Sequence, residues 1–114
     1  TLKPIDNSFG IPEKIYDLTV NNLSPKGIQK FIQNMFIENV EKFDIKREFS
    51  EQKTELEALK TYSANTNFQY DKVIISDNDK IIPTKNQTSF WGIESNIHSG
   101  HAPFFLYKNW SELL

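Results

Sequence analysis

The chain contains no cysteine. Disulfide staples, thiolate nucleophiles and cysteine-ligated zinc are therefore excluded. Glycine is scarce, four in 114 residues, and no G-x-S-x-G elbow, phosphate-cradling loop or dinucleotide fingerprint can be written from them. No apolar run approaches the roughly 20 residues of a membrane-spanning helix. An excess of one charge is missing too: 13 basic and 15 acidic residues are interspersed, for a formal net charge of -2. Without a basic stripe, general nucleic-acid binding is not expected. The lack of cysteine suits a cytoplasmic location, although a chain starting at Thr1 is also compatible with a removed targeting segment.

What is present is aromatic. Nine Phe, four Tyr and two Trp can build a core, and the 25% charged fraction is that of an ordinary folded protein. Length alone predicts a single domain over residues 1–114. Pro12 to about Leu18 reads as a short helical turn. Ser24 is a good N-cap and Pro25 suits the first helical position. Ile28, Phe31, Ile32, Met35, Phe36, Val40 and Phe43 then recur mostly at spacings of three and four, which predicts a helix over 25–43. A further helix is expected from Ser50 to about Thr61, with Leu56, Leu59 and Tyr62 inward. "SANTN" reads as a loop.

The pattern changes after Asn67. "FQYDKVIIS" is rich in aromatic and β-branched residues, "DNDK" is a turn signal, and "KIIP", "TSFWGI" and "PFFLYK" read as successive strands. Asn109 and Glu112 stand at capping-box spacing before a terminal helix. The expected fold is α+β, with N-terminal helices packed on a small, largely antiparallel C-terminal sheet.

Candidate chemistry is thin. "HSGH" sets His98 and His101 three apart, with Glu94 four residues before His98. Zinc needs three or four ligands in fixed geometry, and Gly100 between the histidines favours a solvated hairpin loop. Both imidazoles would nonetheless titrate near neutral pH. "DNDK" fails as a calcium loop, because Ile81, Ile82 and Thr88 occupy the ligand, glycine and glutamate positions. Glu55 and Glu57 do not face each other on a helix, and Glu38 and Glu41 lie off the apolar stripe. No metal, cofactor or catalytic set is expected from these residues. Phe90, Trp91, Phe104, Phe105 and Tyr107 fit cross-strand pairs within a sheet, or a partly exposed interface.

The C-terminal third resembles the late segment of SUKH-type immunity proteins of bacterial toxin systems. The residues that carry this are Asn86-Gln87, Trp91-Gly92-Ile93, Pro103 and Trp110, with "GIPEKIYDL" (Gly10 to Leu18) like that family's early helix. Lys85 departs from the acidic residue usual before the Asn-Gln pair. The resemblance implies a non-catalytic domain that binds a protein partner, such as a basic toxin. Asp71, Asp77, Asp79 and Glu94 would form an acidic rim and Trp91 an aromatic anchor. The alternative is a small-ligand-binding α+β domain, or a small enzyme, with an apolar cavity between helix and sheet.

Overall fold

The structure is a computed structural model that describes residues 2–42, 44–64 and 68–114. Among the described residues four α-helices follow in order: α1 (Glu13–Asn21), α2 (Pro25–Asn34), α3 (Phe49–Ala58) and α4 (Thr84–Trp91). Short 3₁₀ turns cover Leu59–Thr61, Pro103–Leu106 and Trp110–Leu113. No strand or sheet is formed among the described residues, which corrects the expected antiparallel C-terminal sheet. Among the described residues, β-type pairing is limited to two isolated parallel bridges, Ile5 with Ile11 and Ser76 with Ile97.

α2 begins as its sequence predicts. The Ser24 hydroxyl accepts the Gly27 N–H at 2.9 Å, and Pro25 occupies the first turn. It ends nine residues before the expected position 43, at Asn34. The reason is tertiary. Met35 offers its carbonyl to Ala102 N–H at 2.8 Å, and the Phe36 ring turns onto Phe105, centroids 5.2 Å apart. Phe43, the last residue of the expected stripe, lies outside the described residues, as do Asn65, Thr66 and Asn67 of the expected loop.

α1 and α3 are joined by a buried phenol. Tyr16 is 3% exposed, and its hydroxyl donates to the carbonyls of Leu56 (2.8 Å) and Glu57 (3.2 Å) near the end of α3. Tyr62, expected to point inward, is 57% exposed instead. Tyr16→Phe keeps the ring and removes the donor. It should cost about 1 kcal/mol, the net value of one such bond. Urea unfolding checks this through the midpoint at constant m-value.

The C-terminal half is a parallel crossover rather than a hairpin. Ile97 N–H donates to the Ile75 carbonyl (3.3 Å) and Asp77 N–H to the Ile97 carbonyl (3.0 Å). α4 lies in the connection between these two segments, as a parallel pairing requires. The ladder stays short because a side chain takes over its next bonds. Asn96 Oδ1 accepts Ile75 N–H and its Nδ2 donates to the Val73 carbonyl, each at 2.9 Å. Of "TSFWGI", expected as a strand, Thr88 to Trp91 form the last turn of α4 instead. Gly92 closes that helix in the left-handed region (φ 68°), its N–H bonded to the Thr88 carbonyl at 2.9 Å. "PFFL" is a 3₁₀ turn with Phe104 and Phe105 exposed, not a strand. Trp91 and Phe90 sit in an edge-to-face series with Phe9, Tyr70 and Phe68 rather than in cross-strand pairs. Asn109 does cap the final 3₁₀ turn, accepting Ser111 N–H at 3.1 Å, while Glu112 accepts Lys108 N–H at 3.2 Å.

Candidate active site

The parallel bridge at Ser76 and Ile97 sets two aspartates opposite two histidines. Beyond it, Asn78 N–H reaches the Ser99 carbonyl (3.1 Å), and the chain places Asp79 beside His101. His101 Nδ1 lies 2.8 Å from Asp79 Oδ2, across 22 residues of sequence. The Asp79 side chain is 4% exposed and that of His101 is 30% exposed. A second pair, His98 Nδ1 with Asp77 Oδ2, has the same 2.8 Å separation but stands in solvent, with the histidine 80% exposed.

Asp79 is held from every side. Its Oδ1 accepts the N–H groups of Ile81 (2.8 Å) and Ile82 (2.9 Å), the local turn that an aspartate before a helix favours. Its Oδ2 accepts from Gln87 Nε2 on α4 as well as from His101, each at 2.8 Å. Thr84 adds a brace: its hydroxyl donates to the Ser76 carbonyl at 2.7 Å and accepts Asp79 N–H at 3.4 Å. Burial pushes the Asp79 carboxyl up. The His101 hydrogen bond and charge, with the two backbone N–H groups, more than offset this and hold it below 3.8. Asp79 is thus an ionised, acceptor-only group at neutral pH, so the facing Nδ1 must carry the imidazole proton. In the neutral imidazole this tautomer puts the lone pair on Nε2, which has no hydrogen-bond partner among the described residues. The arrangement is that of an oriented general base.

His101 has a firm floor. Gly100 is buried against the backbone of Met35 to Ile37, and Ala102 N–H bonds the Met35 carbonyl. No group of three or more metal-ligating side chains is gathered among the described residues. No described helix is long and apolar enough to cross a membrane. An apolar hollow of about 530 Å³ exists, but it lies between α2 and α3, lined by residues such as Ile28, Phe31 and Leu56, and not at His101.

The sequence-predicted rim residues separate. Asp77 and Asp79 are engaged with histidines, while Asp71 and Glu94 are exposed with no hydrogen bond or ion pair among the described residues. Trp91 is half-buried at the end of α4, its ring edge-on to Phe90 and Tyr70. Sequence reasoning missed the pairing of "DNDK" with "HSGH" and the part played by Gln87. The available signal is that two aspartates two apart and two histidines three apart stand in two short segments.

A family model for the pimeloyl-ACP methyl esterase BioG matches residues 1–113. The chain belongs to the BioG family. A solved structure of BioG from Haemophilus influenzae superposes with a TM-score of 0.79 at 26% identity, covering 97% of this chain and 57% of that one. A malonyl-[acyl-carrier protein] O-methyltransferase of Bacteroides fragilis (strain 638R) is 36% identical over 100 residues, which cover 77% of this chain and 20% of that protein. This chain therefore spans about half the BioG crystal chain and a fifth of the Bacteroides protein. These matches overturn the resemblance to SUKH-type immunity proteins. They also overturn the expectation of a non-catalytic toxin binder, since family and relative are both named for enzymes. Asn86, Gln87 and Trp91, which carried that resemblance, belong to α4, with Gly92 as its cap and Ile93 just beyond it.

The exposed pair gives a measurable check on the local geometry. Asp77 lies below its ordinary 3.8, first through the His98 hydrogen bond, and His98 lies above its ordinary 6.5, first through the bond to Asp77. The attraction is complete between these two ordinary values. It fades as pH falls through the lowered Asp77 value, and again as pH rises through the raised His98 value. An NMR titration should place the His98 midpoint above 6.5, and Asp77→Asn should bring it back down.

Proposed function

We propose that Asp79 and His101 are the base-and-orienter half of an ester hydrolase acting on a methyl ester borne by an acyl group on acyl-carrier protein. The observation that carries this is the 2.8 Å contact between His101 Nδ1 and a buried Asp79, with Nε2 unbonded among the described residues. The substrate class follows the name of the family, pimeloyl-ACP methyl esterase. A nucleophilic hydroxyl at Nε2 gives its proton to the imidazole as its oxygen attacks the ester carbonyl. The imidazolium then protonates the departing methoxide, releasing methanol and leaving an acyl-enzyme. Water repeats the sequence and frees the carboxylic acid. Asp79 remains ionised throughout, holding the tautomer and stabilising the imidazolium. In α/β-hydrolases the order along the chain is Ser, then Asp or Glu, then His, so a serine preceding Asp79 in the polypeptide fits. Methyl transfer, named for the Bacteroides relative, draws no support from this site, and that match covers only 20% of the relative.

The test uses the protein as its own gene encodes it, supplied with the methyl ester of a dicarboxylic acyl-ACP. One methanol and one free acid per ester consumed are expected by mass spectrometry. Recovery of intact ester, at enzyme concentrations equal to substrate, would refute the reading.

A further inference from the structure

We infer that Gln87 is a positioning residue for this site, acting through Asp79; the inference rests on the hydrolase reading above. Gln87 lies in the first turn and a half of α4, and its Nε2 donates to Asp79 Oδ2 and to the Ile82 carbonyl, each at 2.8 Å. Both partners are acceptors only, so the amide orientation is determined. The carboxylate's two oxygens are thereby divided. Oδ1 is taken by the Ile81 and Ile82 N–H groups, and Oδ2 is shared between Gln87 and His101. Backbone bonds to Oδ1 alone would still permit the Oδ2 edge to swing about the side-chain torsion. Gln87 fixes that edge, because its own end is tied to the Ile82 carbonyl across the turn. By donating a hydrogen bond to Oδ2, it also lessens how strongly that oxygen attracts an imidazolium proton. α4 thus does more than connect the two parallel segments. It carries the donor that sets both the direction and the acceptor strength of Asp79.

Gln87→Met keeps the length and removes the donor; Gln87→Glu keeps the shape and places a second carboxylate against Oδ2. For Gln87→Met, kcat should fall about tenfold, the loss of one hydrogen bond to a charged group, with KM little changed. The acid limb of the kcat/KM profile should move to higher pH, because the unshared carboxylate stabilises the protonated imidazole. Gln87→Glu should move it further in the same direction. A merely structural glutamine would lower thermal stability in both variants and leave the acid limb where it is. The low-field NMR resonance of the His101 Nδ1 proton supplies a readout that needs no catalysis, and it should shift or broaden in either variant that folds. An unmoved acid limb and an unmoved Nδ1 resonance in the folded variants would overturn the inference. If neither variant folds, Gln87 is a folding residue and the inference also falls. Wild-type protein that hydrolyses no ester refutes the hydrolase reading instead, while the Nδ1 resonance still decides what Gln87 does to Asp79.

Discussion

Asp79→Asn should lower kcat for ester hydrolysis on the order of 10⁴-fold, the cost of that change in a serine triad, with the fold intact. The reason lies in the hydrogen-bond inventory of the site. Ile81 and Ile82 present N–H donors to Oδ1, so an asparagine must put its carbonyl oxygen there. Its NH₂ group then faces both Gln87 Nε2 and His101 Nδ1, where the wild-type Oδ2 accepts two bonds. Two donors meet two donors. His101 can escape only by moving its proton to Nε2, so that Nδ1 becomes the acceptor. The lone pair needed at Nε2 is then gone, and the general base with it. Circular dichroism and thermal unfolding should show a folded protein with a modest loss of stability. Activity within tenfold of wild type would show that His101 is not oriented through Asp79.

Local signals in the sequence suffice where one short segment decides the structure. Ser24 and Pro25 start α2 because a hydroxyl cap and a proline with no N–H to lose suit the first turn whatever lies beyond. Its end was not legible. The apolar repeat runs on to Phe43, but the Met35 carbonyl is claimed by Ala102, some seventy residues away in the chain. α4 was mistaken for strand because Phe90, Trp91 and Ile93 look β-forming, although Pro83 just before the helix and Gly92 just after it mark its two ends. "FQYDKVIIS" has strand composition, yet composition cannot supply a partner, and the Asn96 side chain occupies the positions where a ladder would continue. The site failed for the same reason. "DNDK" is indeed a turn, whereas "HSGH" lacks regular structure but is not the expected solvated hairpin loop, since Ser99 and Gly100 are buried and the segment pairs in parallel. Only a parallel crossover brings them into contact. Reading the segments as antiparallel strands hid the pairing of Asp79 with His101.

Gly100→Ala should destabilise the protein by about 1–3 kcal/mol, as overpacking does, and lower hydrolysis out of proportion to the folded fraction. A Cβ at this position would sit 2.8 Å from the Met35 carbonyl oxygen, 2.9 Å from Ile37 N and 3.0 Å from the Phe36 carbonyl carbon. All three are backbone atoms, so no flexible side chain can swing aside. Either the turn after α2 retreats or the 99–102 segment lifts away from it. The first movement strains the Ala102 N–H bond to the Met35 carbonyl, and the second displaces His101 directly. Because the Asp79 carboxylate is fixed by two backbone donors and Gln87, it cannot follow a moving imidazole. A shift near 1 Å then breaks the 2.8 Å contact, a displacement that can cost on the order of 10²-fold in rate. Gly92 offers the control. Its Cβ would meet nothing within 4 Å, but its φ of 68° makes any side chain strained, so Gly92→Asn tests backbone strain at the α4 cap without crowding the site. Denaturant unfolding and hydrolysis measured on the same samples separate the two effects. Gly92→Asn should retain full activity per folded molecule. Gly100→Ala retaining it as well would show that the floor beneath His101 is not what holds the imidazole in place.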